Sequence, residues 1–82
     1  MVKIQLEYCV PWNHTARAVS LADELLSEFA AEIESFKLVP SDGGRFEFTV
    51  DGDLLYSKKA TKRHAEPGEI KKLFEAYIET SS

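Results

Sequence analysis

The residues best suited to chemistry lie near the N-terminus, in the stretch EYCVPWN that spans residues 7–13. Cys9 is the single cysteine of the chain, and Trp12 stands where a C-x-x-C redox motif would carry its second sulfur. The nucleophilic form of cysteine is the thiolate, and the N-terminus of a helix favours an anion placed just before it. Free cysteine is also among the most buried residue types. Cys9 is therefore either a reactive thiol or a small packing residue.

A second candidate site is a run of basic residues in the segment KKATKRH. Its members are Lys58, Lys59, Lys62, Arg63 and His64. Such a cluster can attract an anion, for example a glutathione carboxylate, a phosphate or an acidic protein face. It can equally be a solvated loop whose charges keep an edge strand from pairing with another chain. The basic run lacks the interleaved aromatic residues that stack on nucleic acid bases.

Other kinds of site find little support in the pattern of residues. Cys9, His14 and His64 could in principle meet a metal ion, yet no C-x-x-C or H-x-x-H spacing supports them, so we predict no metal and no cofactor. A protonated His14 close to Cys9 would lower the pKa of the thiol, but a solvated position near the start of a helix is the expectation for His14. There is no glycine-rich phosphate loop and no serine nucleophile elbow.

Length and composition limit the classes of protein that the chain can represent. With 82 residues it is expected to form one domain, residues 1–82, and its net charge of −4 argues against nucleic acid as a partner. One cysteine allows no internal disulfide and fits a reducing compartment. No apolar run approaches the roughly 18 residues of a membrane span, and the N-terminus alternates unlike a signal peptide. We therefore expect a cytoplasmic protein with no membrane partner.

Hydrophobic periodicity predicts the secondary structure, because strands repeat every two residues and helices every three to four. In chain order the predicted elements are a strand over 2–8, a helix over 15–34, a strand over 36–39, strands over 45–50 and 53–57, and a helix starting near Pro67. Asn13 or Thr15 can cap the first helix. The Asp51–Gly52 pair favours a type I′ hairpin turn. Residues 40–44 are expected to form a turn and residues 58–66 a loop.

The order β-α-β-β-β-α predicts an α/β fold, an α+β two-layer sandwich with two helices on a four-stranded mixed sheet. The first two strands flank a long helix, so they should be parallel and joined by a right-handed crossover. This arrangement suits a reduced thioredoxin-like fold, in which the hairpin strands lie on the far side of the first strand from the second.

Several segments together resemble the selenoprotein W/T/H (Rdx) family of small thioredoxin-like proteins. They are YCVPWNHTARA, GGRFEFTVDG and a strand ending in YSKKA. Tyr8 and Cys9 match the start of the family's redox motif, and its sheet landmarks are matched by Gly44, Phe46, Asp51 and Gly52. The resemblance implies thiol- or glutathione-linked redox chemistry. Trp12 departs from it, since this position carries the family's selenocysteine or second cysteine.

Two functional hypotheses follow from the resemblance and this departure. In the first, Cys9 acts as a single thiol in redox homeostasis and forms mixed disulfides with a protein or a glutathione-like thiol; whether this amounts to an oxidoreductase activity stays open. A Cys9–Cys9 bridge, and hence a dimer, is also open. In the second, the fold is a non-catalytic binding module whose contact loop comprises Tyr8, Val10, Pro11 and Trp12.

Overall fold

The computed structural model describes residues 1–11 and 14–81. Its elements, in chain order, are β1 (Val2–Cys9), α1 (Thr15–Phe29), β2 (Ile33–Ser41), β3 (Phe46–Val50), β4 (Asp53–Ser57), α2 (Lys58–Thr61) and α3 (Glu69–Ser81). No described helix is long and apolar enough to cross a membrane.

The four strands form one mixed sheet in the order β2-β1-β3-β4. β1 pairs with β2 in parallel, and it pairs with β3 in the antiparallel sense. β4 completes the sheet as the antiparallel partner of β3. Asp51 and Gly52, which join β3 to β4, have φ angles of 50° and 87°, as a type I′ turn requires. The parallel first pair and the hairpin on the far side of β1 are thus confirmed.

The hydrophobic core lies between one face of the sheet and the helices α1 and α3. Phe74 of α3 is fully buried. Its ring meets Phe29 of α1 at a centroid distance of 5.2 Å and Phe48 of β3 at 6.4 Å, both edge to face. Since a single side chain touches both helices and the sheet, the two-layer α+β sandwich is confirmed.

The boundary between α1 and β2 differs from the prediction. The helix was expected to continue to residue 34, but it ends at Phe29, and Ile33 begins β2 opposite Val2 of β1. At its other end, β2 continues through Pro40 and Ser41, where a turn was expected. The ladder along β1 outweighs local turn propensity here, and an edge strand tolerates proline because one of its sides has no ladder to interrupt.

The segment after β4 also differs from the prediction. Residues 58–61 form the one-turn helix α2 instead of a loop, so the fold has three helices instead of two. Ser57 caps α2, because its Oγ accepts a hydrogen bond of 3.0 Å from the Ala60 N–H. The last helix begins at Glu69 and not at Pro67, because Gly68 between them has a φ of 81°, which no right-handed helix accommodates.

Candidate functional site

Cys9 is the last residue of β1, at the carboxyl end of the strand, where it pairs with Ser41 at the end of β2. The cysteine is 0% exposed, whereas the next residue, Val10, is 47% exposed and Pro11 is also exposed. The Val10 N–H donates to the Ser41 carbonyl at 3.0 Å, and the His14 N–H donates to the Cys9 carbonyl at 3.0 Å. Two backbone hydrogen bonds therefore hold Val10 and His14 at the carboxyl ends of β2 and β1.

Of the two other residues of the predicted contact loop, Tyr8 and Trp12, the structure describes only Tyr8. Tyr8 is half-buried and packs against the core. Trp12 and Asn13 lie outside the described residues. The partner contact predicted for Trp12 and the helix cap predicted for Asn13 therefore also lie outside the part of the chain that the structure describes. The N-cap of α1 is His14, which makes no side-chain capping hydrogen bond.

His14 is buried, with only 5% of its surface exposed, so its predicted solvated position is wrong. Its ring meets that of His64 edge to face at a centroid distance of 4.6 Å and that of Phe46 at 6.2 Å. Its Nδ1 lies 3.4 Å from the Arg45 carbonyl oxygen, to which it donates when protonated. Packing of the start of β3 and of the loop before α3 against the start of α1 covers this ring.

The surroundings of His64 favour its neutral form. Burial lowers its pKa below the usual value, and the nearby charges of Arg17, His14 and Lys58 lower this pKa further. Its Nδ1 is buried without a hydrogen-bond partner among residues 1–11 and 14–81. Within the same residues, no group of three or more His, Cys, Asp or Glu side chains could hold a metal ion.

A cleft of about 370 Å³ lies between the turn of residues 42–45, which connects β2 to β3, and the helix α2. We call it the basic groove; one wall carries Gly43, Gly44 and Arg45, and the other carries Lys58, Lys59 and Lys62. Asp42 also lines it and accepts a hydrogen bond of 3.3 Å from Nη1 of Arg45. The groove therefore gathers four cations around one carboxylate.

Arg63, the one arginine of the predicted anion site, does not line the basic groove. Its guanidinium forms a two-pronged pair with Glu69, each N···O distance being 2.8 Å. The hydrogen bond from Arg63 is the main reason why the pKa of Glu69 falls to about 2. Arg63 thus ties the loop after α2 to the first turn of α3.

Arg45 belongs to the groove although the sequence reasoning did not select it. Glu47 pairs with Ser57, so the residues just before β3 lie beside those just after β4. Pairing residues outwards from the Asp51–Gly52 turn, one from each strand of the hairpin, places Arg45 beside Lys58 and Lys59. This hairpin register, which was not used in the prediction from sequence, is the signal that identifies Arg45.

Residues 3–76 match the model of the Rdx family, a span that begins in β1 and ends in α3. The chain belongs to the Rdx family. This Rdx protein is similar to a crystal structure of a selenoprotein W-related protein from Vibrio cholerae, with 32% identity, a TM-score of 0.86, and coverage of 94% of this chain and 96% of that one.

A crystal structure of a protein from Bordetella parapertussis is also similar. It shares 29% identity and a TM-score of 0.86, with coverage of 93% of this chain and 96% of that one. Among curated proteins, none matches the chain. These similarities confirm the thioredoxin-like fold and make this Rdx protein a redox-related member of that fold.

Proposed function

We propose that this Rdx protein is a single-thiol redox protein in which Cys9 forms mixed disulfides with a protein thiol or a small glutathione-like thiol. One observation carries the proposal. Cys9 is fully covered, yet it is not one of the residues of the main apolar cluster, and exposed Val10 and Pro11 follow it immediately. A local opening at the end of β1 that leaves this cluster packed would therefore expose the thiol without global unfolding.

The chemistry requires only one protein sulfur. The Cys9 thiolate attacks one sulfur of an external disulfide, the bond between the two external sulfurs breaks, and a new S–S bond to Cys9 forms. The departing sulfur leaves as a thiolate and takes up a proton from water. A second external thiol then releases the bound group by the same exchange and regenerates Cys9. An external thiol is needed because Trp12 occupies the position of the family's second sulfur.

Two features of the fold support this role for Cys9. The carboxyl end of a β-strand followed by a helix is where α/β proteins commonly bind ligands. The α1 helix begins at Thr15, and the hydrogen bond from the His14 N–H to the Cys9 carbonyl ties the start of the helix to the cysteine. The unpaired N–H groups and dipole of this helix end favour a negative charge nearby.

The test is the rate of Cys9 alkylation by iodoacetamide from about pH 4 to about pH 10, on native and on urea-unfolded protein. Mass spectrometry reports one adduct, because the chain has one cysteine. We expect the native protein to react much faster than its global unfolding equilibrium allows. A native rate equal to the unfolded rate multiplied by the unfolded fraction would overturn the proposal. Cys9→Ser provides the blank and should form no adduct with oxidised glutathione.

A second candidate function is a non-catalytic binding module on the same fold. The exposure of the apolar residues Val10 and Pro11 favours it, because they offer a contact surface that needs no accessible thiol. Here Cys9→Ser should leave partner binding unchanged, whereas Trp12→Ala should weaken it. Under the redox proposal, Trp12→Cys should instead create an oxidisable thiol pair, detected as the loss of two titratable thiols under mild oxidation.

A further inference from the structure

We propose that the basic groove binds an acidic segment of a protein partner, with carboxylates of the partner paired to Lys59 and Lys62. The inference goes beyond the redox proposal and does not depend on Cys9 chemistry. Charge is unevenly distributed in the protein: the chain has a net charge of −4, yet four of its ten Lys and Arg residues surround one cleft of about 370 Å³.

The side-chain ammonium groups of Lys59 and Lys62 form no ion pair within the described part of the chain, although the Lys59 backbone N–H donates to Glu47 at 3.4 Å. Some cations elsewhere are paired: Lys3 with Glu34 at 3.6 Å, Lys71 with Glu28 at 2.6 Å, and Arg63 with Glu69. No such pair forms at Lys59 or Lys62, and both residues are exposed. Their charges are thus available to a partner without breaking an internal ion pair.

Lys62 also has an unusual backbone conformation. It is the C-cap of α2 in the left-handed region, with φ of 60°, and its N–H donates to the Lys58 carbonyl at 2.6 Å. Glycine is the common residue at such caps, since a Cβ is unfavourable there. Strained positions of this kind often belong to functional surfaces. A lysine here places a positive charge at the rim of the groove at some cost in stability.

The wall opposite these lysines is open and made largely of backbone. At Gly43, which has φ of 72°, an added Cβ would meet no atom within 4 Å, so a partner's chain can pass close to the turn. On this side Arg45 is engaged with Ser41 and Asp42. Charges spread along an open cleft suit several carboxylates on one chain better than a single anion enclosed on all sides.

The groove also adjoins the residues that directly follow Cys9. Nη1 of Arg45 donates to Oγ of Ser41 at 3.2 Å, and the carbonyl of the same Ser41 accepts from the Val10 N–H at 3.0 Å. An acidic segment bound in the groove would therefore lie next to these residues. The groove can thus select protein partners for the redox site, although binding itself needs no thiol.

The experiment measures binding of a capped hexaglutamate peptide by isothermal titration and by amide NMR shifts, with capped hexaglutamine as the uncharged probe. The protein carries Cys9→Ser, so no disulfide contributes. We expect hexaglutamate to shift the amide signals of Gly43 and Gly44. We expect Lys59→Gln with Lys62→Gln to weaken binding by about three- to tenfold, as the loss of two exposed ion pairs implies.

The matched control is Lys37→Gln with Lys72→Gln, which replaces two exposed lysines outside the groove. Both double variants change the net charge from −4 to −6, since each loses two positive charges. An equal loss of affinity in the control would overturn the inference, since binding would then follow total charge. Tight binding of inorganic phosphate without binding of hexaglutamate would also overturn it, in favour of a small-anion site. These binding results are independent of the alkylation experiment, because the protein used for them carries Cys9→Ser. A failure of Cys9 alkylation would therefore overturn the redox proposal and leave this inference unaffected.

Discussion

The imidazole rings of His14 and His64 meet edge to face, with their centroids 4.6 Å apart, although fifty positions separate them in the chain. The contact joins the start of α1 to the loop between α2 and α3. It lies beside the basic groove, because Lys58 contributes to the electrostatic environment of His64 and the carbonyl oxygen of Arg45 lies 3.4 Å from Nδ1 of His14. The histidine pair therefore connects the two candidate sites.

The first prediction concerns the pH dependence of stability. Burial, followed by the charges of Arg17, His14 and Lys58, lowers the pKa of His64 in the folded state. The unfolded chain then binds the proton more readily, so His64 stabilises the fold above an unfolded pKa of about 6.5 and this contribution is lost as pH falls through the folded pKa. His64→Gln should reduce the fall in unfolding free energy between about pH 7.5 and about pH 5.5.

Urea unfolding of both proteins at these two pH values measures this difference. The variant can be less stable overall because a ring contact is lost, so the decisive quantity is the change with pH. A decrease as large as that of the parent protein would contradict the prediction.

The second prediction concerns the pair formed by Arg63 and Glu69. The Arg63 hydrogen bonds hold the pKa of Glu69 at about 2, so this carboxylate stabilises the fold above its unfolded value of 4.5 and loses that effect as pH falls towards 2. Arg63→Gln should raise the pKa of Glu69 towards its ordinary value, measured by carboxyl NMR titration. Hexaglutamate affinity should stay within twofold of the parent, because Arg63 lies outside the basic groove.

The third prediction tests the core that joins the two helices to the sheet. Phe74 is fully buried and contacts Phe29 and Phe48. Phe74→Ala should lower the unfolding free energy by about 3–5 kcal/mol through lost burial and the cavity left behind. Urea denaturation measures the effect. Leu54→Ala is the control at a position that is 58% exposed, and its change should stay within about 0.5 kcal/mol.

The fourth prediction separates stability from binding at the left-handed cap. Lys62→Gly should raise the unfolding free energy by up to about 1 kcal/mol, because glycine adopts the φ of 60° without the Cβ penalty. The same change should weaken hexaglutamate binding. Lys59→Gly, within α2, should instead lower the unfolding free energy by about 0.5–1 kcal/mol. Thermal denaturation compares them; destabilisation by both substitutions would contradict the strain assigned to Lys62.

Much of the fold was determined by local sequence patterns. The alternation over residues 2–8 and over 45–50 predicted β1 and β3, and the period of three to four residues predicted α1 and α3, because these periods follow from backbone geometry. The Asp51–Gly52 pair determined the hairpin turn, since both residues tolerate positive φ. The redox-family motif was also legible in the sequence, as were Cys9 and its unusual neighbour Trp12.

The tertiary structure decided what depends on residues far apart in the chain. It extended β2 from Ile33 to Ser41, because the ladder along β1 outweighs the propensity of a single turn. The same kind of packing buried His14 against His64. It also paired Arg63 with Glu69 and left Arg45 beside the lysines of α2. Burial and charge pairing at each of these residues are properties of the neighbours that folding brings together, and no local period of the sequence encodes them.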